Sequence, residues 1–168
     1  SLGAGDAIVL LASSGIHANG VSLARKIAER LPQGWLTPVG NTTYGDALLA
    51  PTTLYSPVTE ALWKTGIAAH YCANITGHGW RKLLRHPAVL TYRIRSVPPV
   101  PPVLRFVQQH AGLDDREAYS TFNMGAGFAL FVDGADAGKT VQVARTLGFG
   151  ARLAGVVDTV PEGEEGVG

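Results

Sequence analysis

The sequence lacks most of the features that assign a chain to a specialised class. It contains one cysteine, Cys72, so no internal disulfide can form, and a reducing cytoplasm is the expected location. Cys72 lies in a strand-like stretch, where we expect a small buried hydrophobic side chain rather than a nucleophile. No apolar run approaches the ~20 residues that span a bilayer, and the start lacks the basic leader of a signal peptide. We therefore expect no membrane partner.

An excess of charge of one sign is also missing. The chain has 14 Lys and Arg against 13 Asp and Glu, a formal net charge of +1, which indicates no surface for nucleic acid. The small group Arg81, Lys82 and Arg85 is better explained as a solvated helix face. The 5 histidines lie far apart and no CxxC pair is present, so a zinc site is unsupported. No acidic cluster suits Mg²⁺ either, and we predict no metal ligand in this chain.

What is present is the composition of a globular protein. The 168 residues are 46% hydrophobic and 16% charged, enough for one well-packed domain and short for two. Helix-like and strand-like stretches are mixed, without a repeat or an evident boundary. Because helices packed against one sheet are the economical arrangement, we predict an α+β fold and a single domain over residues 1–168. The start at Ser1 and the polar end lead us to expect a piece of a longer protein.

Apolar spacing places the individual elements. The Pro-, Gly- and Thr-rich stretch 32–55 is predicted to be an irregular connection. Strands are predicted at 6–12, 70–76, 90–95, 125–133 and 151–157, helices at 20–31, 56–65, 103–112 and 136–147, and short helical turns within 76–85 and 114–120.

The first strand-to-helix connection is a candidate anion site. A Ser-Ser-Gly turn at 13–15 ends the apolar run, and Asn19-Gly20 precedes the helix-like pattern. Unpaired backbone N–H groups in such a turn and at a helix start suit a phosphate. His17 could donate to that anion or move a proton, and Asn19 could hold an amide or hydroxyl. The spacing alone leaves open a plain connector whose polar residues cap the helix.

Two more glycine-rich connections accompany the first. Residues 75–82 again place small residues and His78 between a strand and a helix, and residues 121–128 combine glycines with the donor and acceptor of Asn123. Together with the first connection they could face one ligand. The stretch GADAGKT at 134–140 is not a nucleotide P-loop, because 3 residues rather than 4 separate its first glycine from Gly-Lys.

The order of these segments resembles one family. GDAIVLLASSGIHANGVSLARKI at 5–27, ALLAPTTLY at 47–55, ITGHG at 75–79 and EAYSTFNMGAGFAL at 117–130 resemble, in order and over nearly the whole chain, motifs of one domain. It is the C-terminal domain of the phosphoribosylformylglycinamidine cyclo-ligase, or aminoimidazole ribonucleotide synthetase, family. The resemblance implies a layered α/β/α domain with a mixed sheet. It also implies a longer protein whose N-terminal ATP- and metal-binding domain is absent from this sequence.

The resemblance further implies an activity and a set of site residues. Members of the family use ATP and Mg²⁺ to convert formylglycinamidine ribonucleotide to aminoimidazole ribonucleotide in purine biosynthesis. The implied partners are the nucleotide substrate, the chain's own N-terminal domain and a second copy in a cytoplasmic homodimer. By position in the motifs, His17 is the candidate catalytic residue. The candidates for substrate or phosphate binding are Ser14, Gly15, Asn19, Gly20, Thr76, Gly77, Gly79, Asn123 and Gly125.

The second connection departs from the family pattern. His78 stands where the family usually has glycine, and Trp80 follows Gly79, so we expect a bulkier turn that reshapes the substrate pocket. Two alternatives therefore stay open. One is a divergent paralogue with another substrate in the same ATP-using superfamily, which includes formylglycinamidine ribonucleotide synthase, selenophosphate synthetase and a hydrogenase maturation protein. The other is a non-catalytic ligand-binding module that kept the fold.

Overall fold

The main sheet has five strands in the order β4-β6-β1-β7-β5. A computed structural model describes residues 1–160 of the chain. The strands are β1 Ala7–Ala12, β2 Pro38–Val39, β3 Thr42–Thr43, β4 Ala69–Asn74, β5 Leu90–Ile94, β6 Ala126–Val132 and β7 Ala151–Thr159, where β2 and β3 form a separate small hairpin. The α-helices are α1 Val21–Ala28, α2 Tyr44–Leu48, α3 Ser56–Lys64, α4 Pro102–Ala111, α5 Asp115–Thr121 and α6 Ala137–Thr146, with 3₁₀ helices at Gly34–Leu36, Gly79–Arg85 and Gly134–Asp136.

Every neighbouring pair in the main sheet is antiparallel. The central strands β1 and β6 pair from Ala7 opposite Val132 to Leu11 opposite Phe128, and both are buried on their two faces. This burial explains their continuous apolar sequence. The prediction of an α+β fold is confirmed. The sheet, expected to be mixed, is antiparallel at each of these junctions, because an apolar run indicates burial but not strand direction.

The two faces of the sheet are covered differently. Helices α3 and α6 pack on one face, where Leu62 and Ala144 join the same apolar cluster as Val9 and Leu130. The opposite face, with Ile8 and Phe131 among others, is covered by Leu83 of the second 3₁₀ helix and by aromatic side chains. The predicted α-helical layer is therefore present on one face within residues 1–160, since periodicity identifies a helix without showing which surface it covers.

The remaining helices form a separate apolar cluster beside the sheet. Residues of α1, α2, α4 and α5 surround Phe122 and Met124 there. Helix α2 lies in the stretch predicted to be irregular, and Thr43 caps it by accepting a hydrogen bond from the Asp46 N–H at 3.2 Å. Tyr44 is fully buried and donates from its hydroxyl to the Ala24 carbonyl at 3.1 Å, which ties α2 to α1.

Strand β4 lies at one edge of the sheet. Its side chains alternate, so that Ala73 is buried while Cys72 and Asn74 are exposed. The prediction that Cys72 is buried is therefore wrong, because an outer strand is covered by fewer neighbours than a central one. No helix within residues 1–160 has the length and apolar character required to cross a membrane.

Candidate functional site

The three glycine-rich connections meet at one end of the sheet. We call residues 13–20, after β1, the first loop; residues 75–79, after β4, the second loop; and residues 121–125, before β6, the third loop. Because β1 and β4 both run antiparallel to β6, both strands end where β6 begins. The expectation that these loops could face one ligand thus has a geometric basis in the sheet.

Asn123 connects the first and third loops from inside the protein. Its side-chain Nδ2 donates to the Gly15 carbonyl at 2.8 Å, and its Oδ1 accepts from the Ser13 hydroxyl at 2.8 Å and from the Gly125 N–H at 2.9 Å. The residue is only 2% exposed. Its amide is therefore occupied by protein partners, and its evident role is to hold the loops in place.

Several predicted site glycines allow close packing between the loops. At Gly79, which has a φ of +51°, a Cβ atom would lie 2.2 Å from the Tyr119 carbonyl oxygen. At Gly125, with a φ of +95°, it would lie 2.5 Å from the Pro99 carbonyl oxygen. Gly20 packs in the same way against the ring of Phe122. Side chains are excluded at these positions by neighbouring protein atoms.

His17 is half-buried in the first loop and has a left-handed backbone conformation, with a φ of 56°. Its Nε2 lies 3.3 Å from the Ser14 N–H nitrogen and 3.1 Å from the Ser14 Oγ, and that hydroxyl donates to the Pro51 carbonyl at 2.6 Å. Burial lowers the pKa of His17 below its ordinary value of 6.5. The imidazole is therefore neutral at pH ~7, with one donor and one acceptor nitrogen.

Tyr55 and Gly127 hold the His17 ring from the other side. The centroids of the His17 and Tyr55 rings are 6.4 Å apart. The Tyr55 hydroxyl donates to the Ala12 carbonyl at 2.7 Å, and its ring stacks on Phe128 at 5.2 Å. A Cβ atom on Gly127 would lie 1.9 Å from the Tyr55 hydroxyl oxygen and 2.9 Å from His17 Cε1. The arrangement of both rings consequently depends on a glycine at this position.

A cavity of about 90 Å³ opens beside the His17 ring. Asn19 reaches across to the third loop, donating from Nδ2 to the Thr121 carbonyl at 3.3 Å, and Gly77 lies against its side chain. Of the residues predicted from sequence, His17, Asn19, Thr76 and Asn123 line the cavity. The others, Ser14, Gly15, Gly20, Gly77, Gly79 and Gly125, shape the loops around it.

Sequence reasoning missed several lining residues. Thr52, Thr53 and Tyr55 belong to the stretch predicted to be irregular, and Asn74 and Gly127 lie in strands. The segment ALLAPTTLY could have indicated Thr52, Thr53 and Tyr55, because it carries part of the family resemblance. None of its residues was predicted to belong to the site.

The departures at His78 and Trp80 do not reach this cavity. Neither residue lines it. Trp80 donates from its indole N–H to the Asn123 carbonyl at 2.8 Å and packs edge-on against Tyr119, while the His78 side chain is exposed. The bulkier turn therefore supports the third loop from outside, and the walls of the His17 cavity are formed by other residues.

A larger groove of about 490 Å³ lies elsewhere, between α1 and α2. Exposed apolar side chains such as Trp35, Leu36 and Leu49 line it, and none of the residues predicted for the site does. We place the candidate site at the smaller cavity, because it contains the titratable His17 and the convergent polar groups that a reaction requires.

The described part of the chain offers no group of three or more His, Cys, Asp or Glu side chains placed to hold a metal ion. The cavity lining consists of hydroxyl, amide, imidazole and apolar groups, without a carboxylate. Since Mg²⁺ prefers carboxylate and phosphate oxygens, these residues do not fit a Mg²⁺ site by themselves.

The lowered pKa of His17 predicts a pH dependence of folding stability. Between the folded pKa and 6.5 the unfolded chain binds more protons at this residue than the folded chain does. The free energy of unfolding therefore rises with pH through this interval. The stability that the neutral His17 contributes above pH 6.5 is lost as pH falls through the folded pKa. We expect NMR titration of the imidazole to give a pKa below 6.5. In urea unfolding, His17→Asn should show a shallower loss of stability on acidification, and an unchanged slope would contradict the prediction.

Comparison with known proteins places these features in a family. A family profile described as "AIR synthase related protein, C-terminal domain" matches residues 3–167. The chain is 39% identical over 163 residues to a phosphoribosylformylglycinamidine cyclo-ligase of Methanocaldococcus jannaschii, covering 94% of this chain and 46% of that protein. It is 38% identical over 167 residues to the protein of the same name from Nitrosococcus oceani, covering 97% and 46%. The chain thus spans about half the length of these relatives.

A solved structure has the same fold. The crystal structure of E. coli HypE, a hydrogenase maturation protein, superimposes with a TM-score of 0.60 at 23% identity, over 95% of this chain and 45% of that one. At this identity the likeness concerns the fold alone. The profile match spans almost the entire sequence, and it includes all three loops of the site. The chain therefore belongs to the family of the C-terminal domain of AIR synthase related proteins.

Proposed function

We propose that the chain is the substrate-facing domain of an ATP-dependent phosphoribosylformylglycinamidine cyclo-ligase, a C–N bond-forming ligase of purine biosynthesis. The observation that carries the proposal is the identity of 39% over 94% of the chain to a relative named for this activity. In this proposal residues 1–168 form one domain and an N-terminal domain precedes it in the full-length protein. That protein acts as a homodimer in the cytoplasm.

In this proposal some residues around the cavity bind the substrate, and His17 transfers a proton. The first loop presents backbone N–H groups to an anionic part of the substrate, and Asn19 and Thr76 approach the ligand from two sides. Nε2 makes both short contacts of the His17 ring. Because the Ser14 hydroxyl donates its hydrogen to the Pro51 carbonyl, Nε2–H can donate to the Ser14 Oγ, and in this tautomer Nδ1 carries the lone pair that accepts a proton from a ligand. Ring closure removes a proton from the attacking nitrogen, and a neutral imidazole can accept it at pH ~7.

The phosphoryl chemistry would be supplied mainly from outside this chain. Phosphoryl transfer needs metal ions and hydrogen-bond donors around the moving charge. The cavity supplies donors but no carboxylate for Mg²⁺. We therefore assign ATP and Mg²⁺ mainly to the N-terminal domain, with the active site between the two domains. The predicted binding glycines and Asn123 then act by fixing the loops against which the substrate lies.

The proposal is tested by ATP turnover in the full-length protein. ADP should form only when formylglycinamidine ribonucleotide is present, together with a product that has the absorbance of an aminoimidazole. Residues 1–168 alone should fold and show no turnover. ATP turnover that ignores the amidine nucleotide would contradict the proposed substrate. Cyclisation by the 168 residues alone would contradict the division of the site between two domains.

A second candidate is a related ATP-using enzyme with another substrate, or a ligand-binding module without catalysis. The observation that favours it is the His78-Gly79-Trp80 turn, which departs from the resembled motif. An aspartate-rich metal motif in the segment that precedes Ser1 in the full-length protein would favour an enzyme over a binding module. Turnover with a different nucleotide would identify the paralogue.

A further inference from the structure

A second cavity of about 400 Å³ adjoins the His17 cavity and shares part of its wall. Thr52, Thr53, Tyr55 and Asn74 line both. The His17 cavity alone, at about 90 Å³, is smaller than the roughly 300–1,000 Å³ of pockets that enclose small ligands. A ligand at His17 can extend into the adjoining space, which we call the threonine groove.

The threonine groove is lined by two aromatic rings, which we call its floor, and by side chains with hydroxyl groups, which we call its walls. The rings of Tyr55 and Phe128 stack with an interplanar angle of 16°. Asn74 is the register partner of Phe128 across the β4–β6 pair, so its exposed amide stands beside that ring on the same face of the sheet. No lining residue carries a formal charge. The remaining lining residues are Thr52, Thr53, Leu54, Ser56 and Thr59.

We propose that the threonine groove binds the uncharged sugar of the nucleotide substrate, with its phosphate at the first loop. This inference rests on the proposed function insofar as the ligand is a nucleotide. Neither the groove nor the first loop has a Lys or Arg side chain, so we assign the phosphate to the loop on its backbone N–H groups and the sugar to the groove on its uncharged lining. A pentose offers C–H groups to an aromatic ring and hydroxyls to threonine and asparagine side chains. These are the groups that the floor and the walls provide.

Binding to the full-length protein tests the inference, with inorganic phosphate, D-ribose and ribose 5-phosphate as the probes. Ribose 5-phosphate should bind more tightly than inorganic phosphate, as measured by calorimetry, and should shift the NMR signals of the Phe128 and Tyr55 rings. Asn74→Ala should weaken ribose 5-phosphate binding by roughly tenfold, the loss of about one good hydrogen bond, and leave phosphate binding unchanged. Gln109→Ala, which removes an exposed amide on α4, is the matched control and should change neither affinity.

The outcomes separate this inference from the proposed function. If inorganic phosphate binds and ribose 5-phosphate binds no more tightly, the sugar assignment is overturned while the anion site at the first loop stands. Equal weakening of both probes by Asn74→Ala would also overturn it, because Asn74 would then act on the first loop. If none of the three probes binds, the anion site of the proposed function and the sugar assignment are both overturned.

Discussion

Replacing His17 with alanine in the full-length protein is expected to lower kcat by about tenfold or more, the effect of losing a positioned proton-transfer group. Burial lowers the pKa of this imidazole, so it is a neutral base at pH ~7, whereas burial raises the pKa of Tyr55, which also lines the cavity, to about 12. Its removal should leave KM for ATP nearly unchanged, because the proposal assigns ATP mainly to the other domain. The measurement is steady-state ADP release with the amidine nucleotide as substrate.

Two further variants make this experiment specific. His17 has a φ of 56°, a conformation that asparagine tolerates better than alanine, so His17→Asn removes the imidazole with less backbone strain. His110→Ala removes an imidazole that stacks on Phe106 in α4, outside the cavity, and should leave kcat unchanged. Full activity in both His17 variants would take the residue out of the mechanism, and an equal loss in His110→Ala would indicate a general loss of folded protein.

Asn123→Ala is expected to lower the free energy of unfolding by about 2–4 kcal/mol. The substitution removes one donor and one acceptor and leaves the Gly15 carbonyl, the Ser13 hydroxyl and the Gly125 N–H without their partner. At 2% exposure, water does not readily replace these contacts. Urea unfolding of the 168-residue chain measures the change.

The control for this prediction is Asn41→Ala. Asn41 is exposed between β2 and β3, so removal of its amide should change the free energy of unfolding by less than about 0.5 kcal/mol. A loss below about 1 kcal/mol in Asn123→Ala would show that the loops are held by apolar packing and not by this amide.

Sequence reasoning located the elements best where burial is complete. The strands predicted at 6–12 and 125–133 are Ala7–Ala12 and Ala126–Val132, because a strand buried on both faces has a continuous apolar sequence. Helix α2 was missed because its 5 residues give little more than one turn of periodicity. Strand direction, and the fact that α-helices of the described residues 1–160 cover one face of the sheet while a 3₁₀ helix covers the other, depend on contacts between distant segments, which no local pattern encodes.

The candidate site was predictable to a similar extent. The three loops and His17 carry recognisable local chemistry, and the antiparallel sheet brings those loops to one end. Asn123 was predicted as a ligand contact because an asparagine in a glycine-rich loop has free donors and acceptors until its partners are known. Those partners lie 108 and 110 residues away in the chain. The role of Gly127 in leaving space for the Tyr55 and His17 rings could not be predicted for the same reason, because those residues are distant in the sequence.

The packing of Tyr55 over Gly127 restricts the order in which this site can diverge. Any side chain at position 127 collides with the Tyr55 hydroxyl, so a lineage that gains one must first replace Tyr55 by a smaller residue. The replacement of Tyr55 also removes its hydrogen bond to the Ala12 carbonyl and its stacking on Phe128. Homologues with a larger residue 127 should therefore carry a small residue 55, whereas homologues with a small residue 55 are free to keep the glycine.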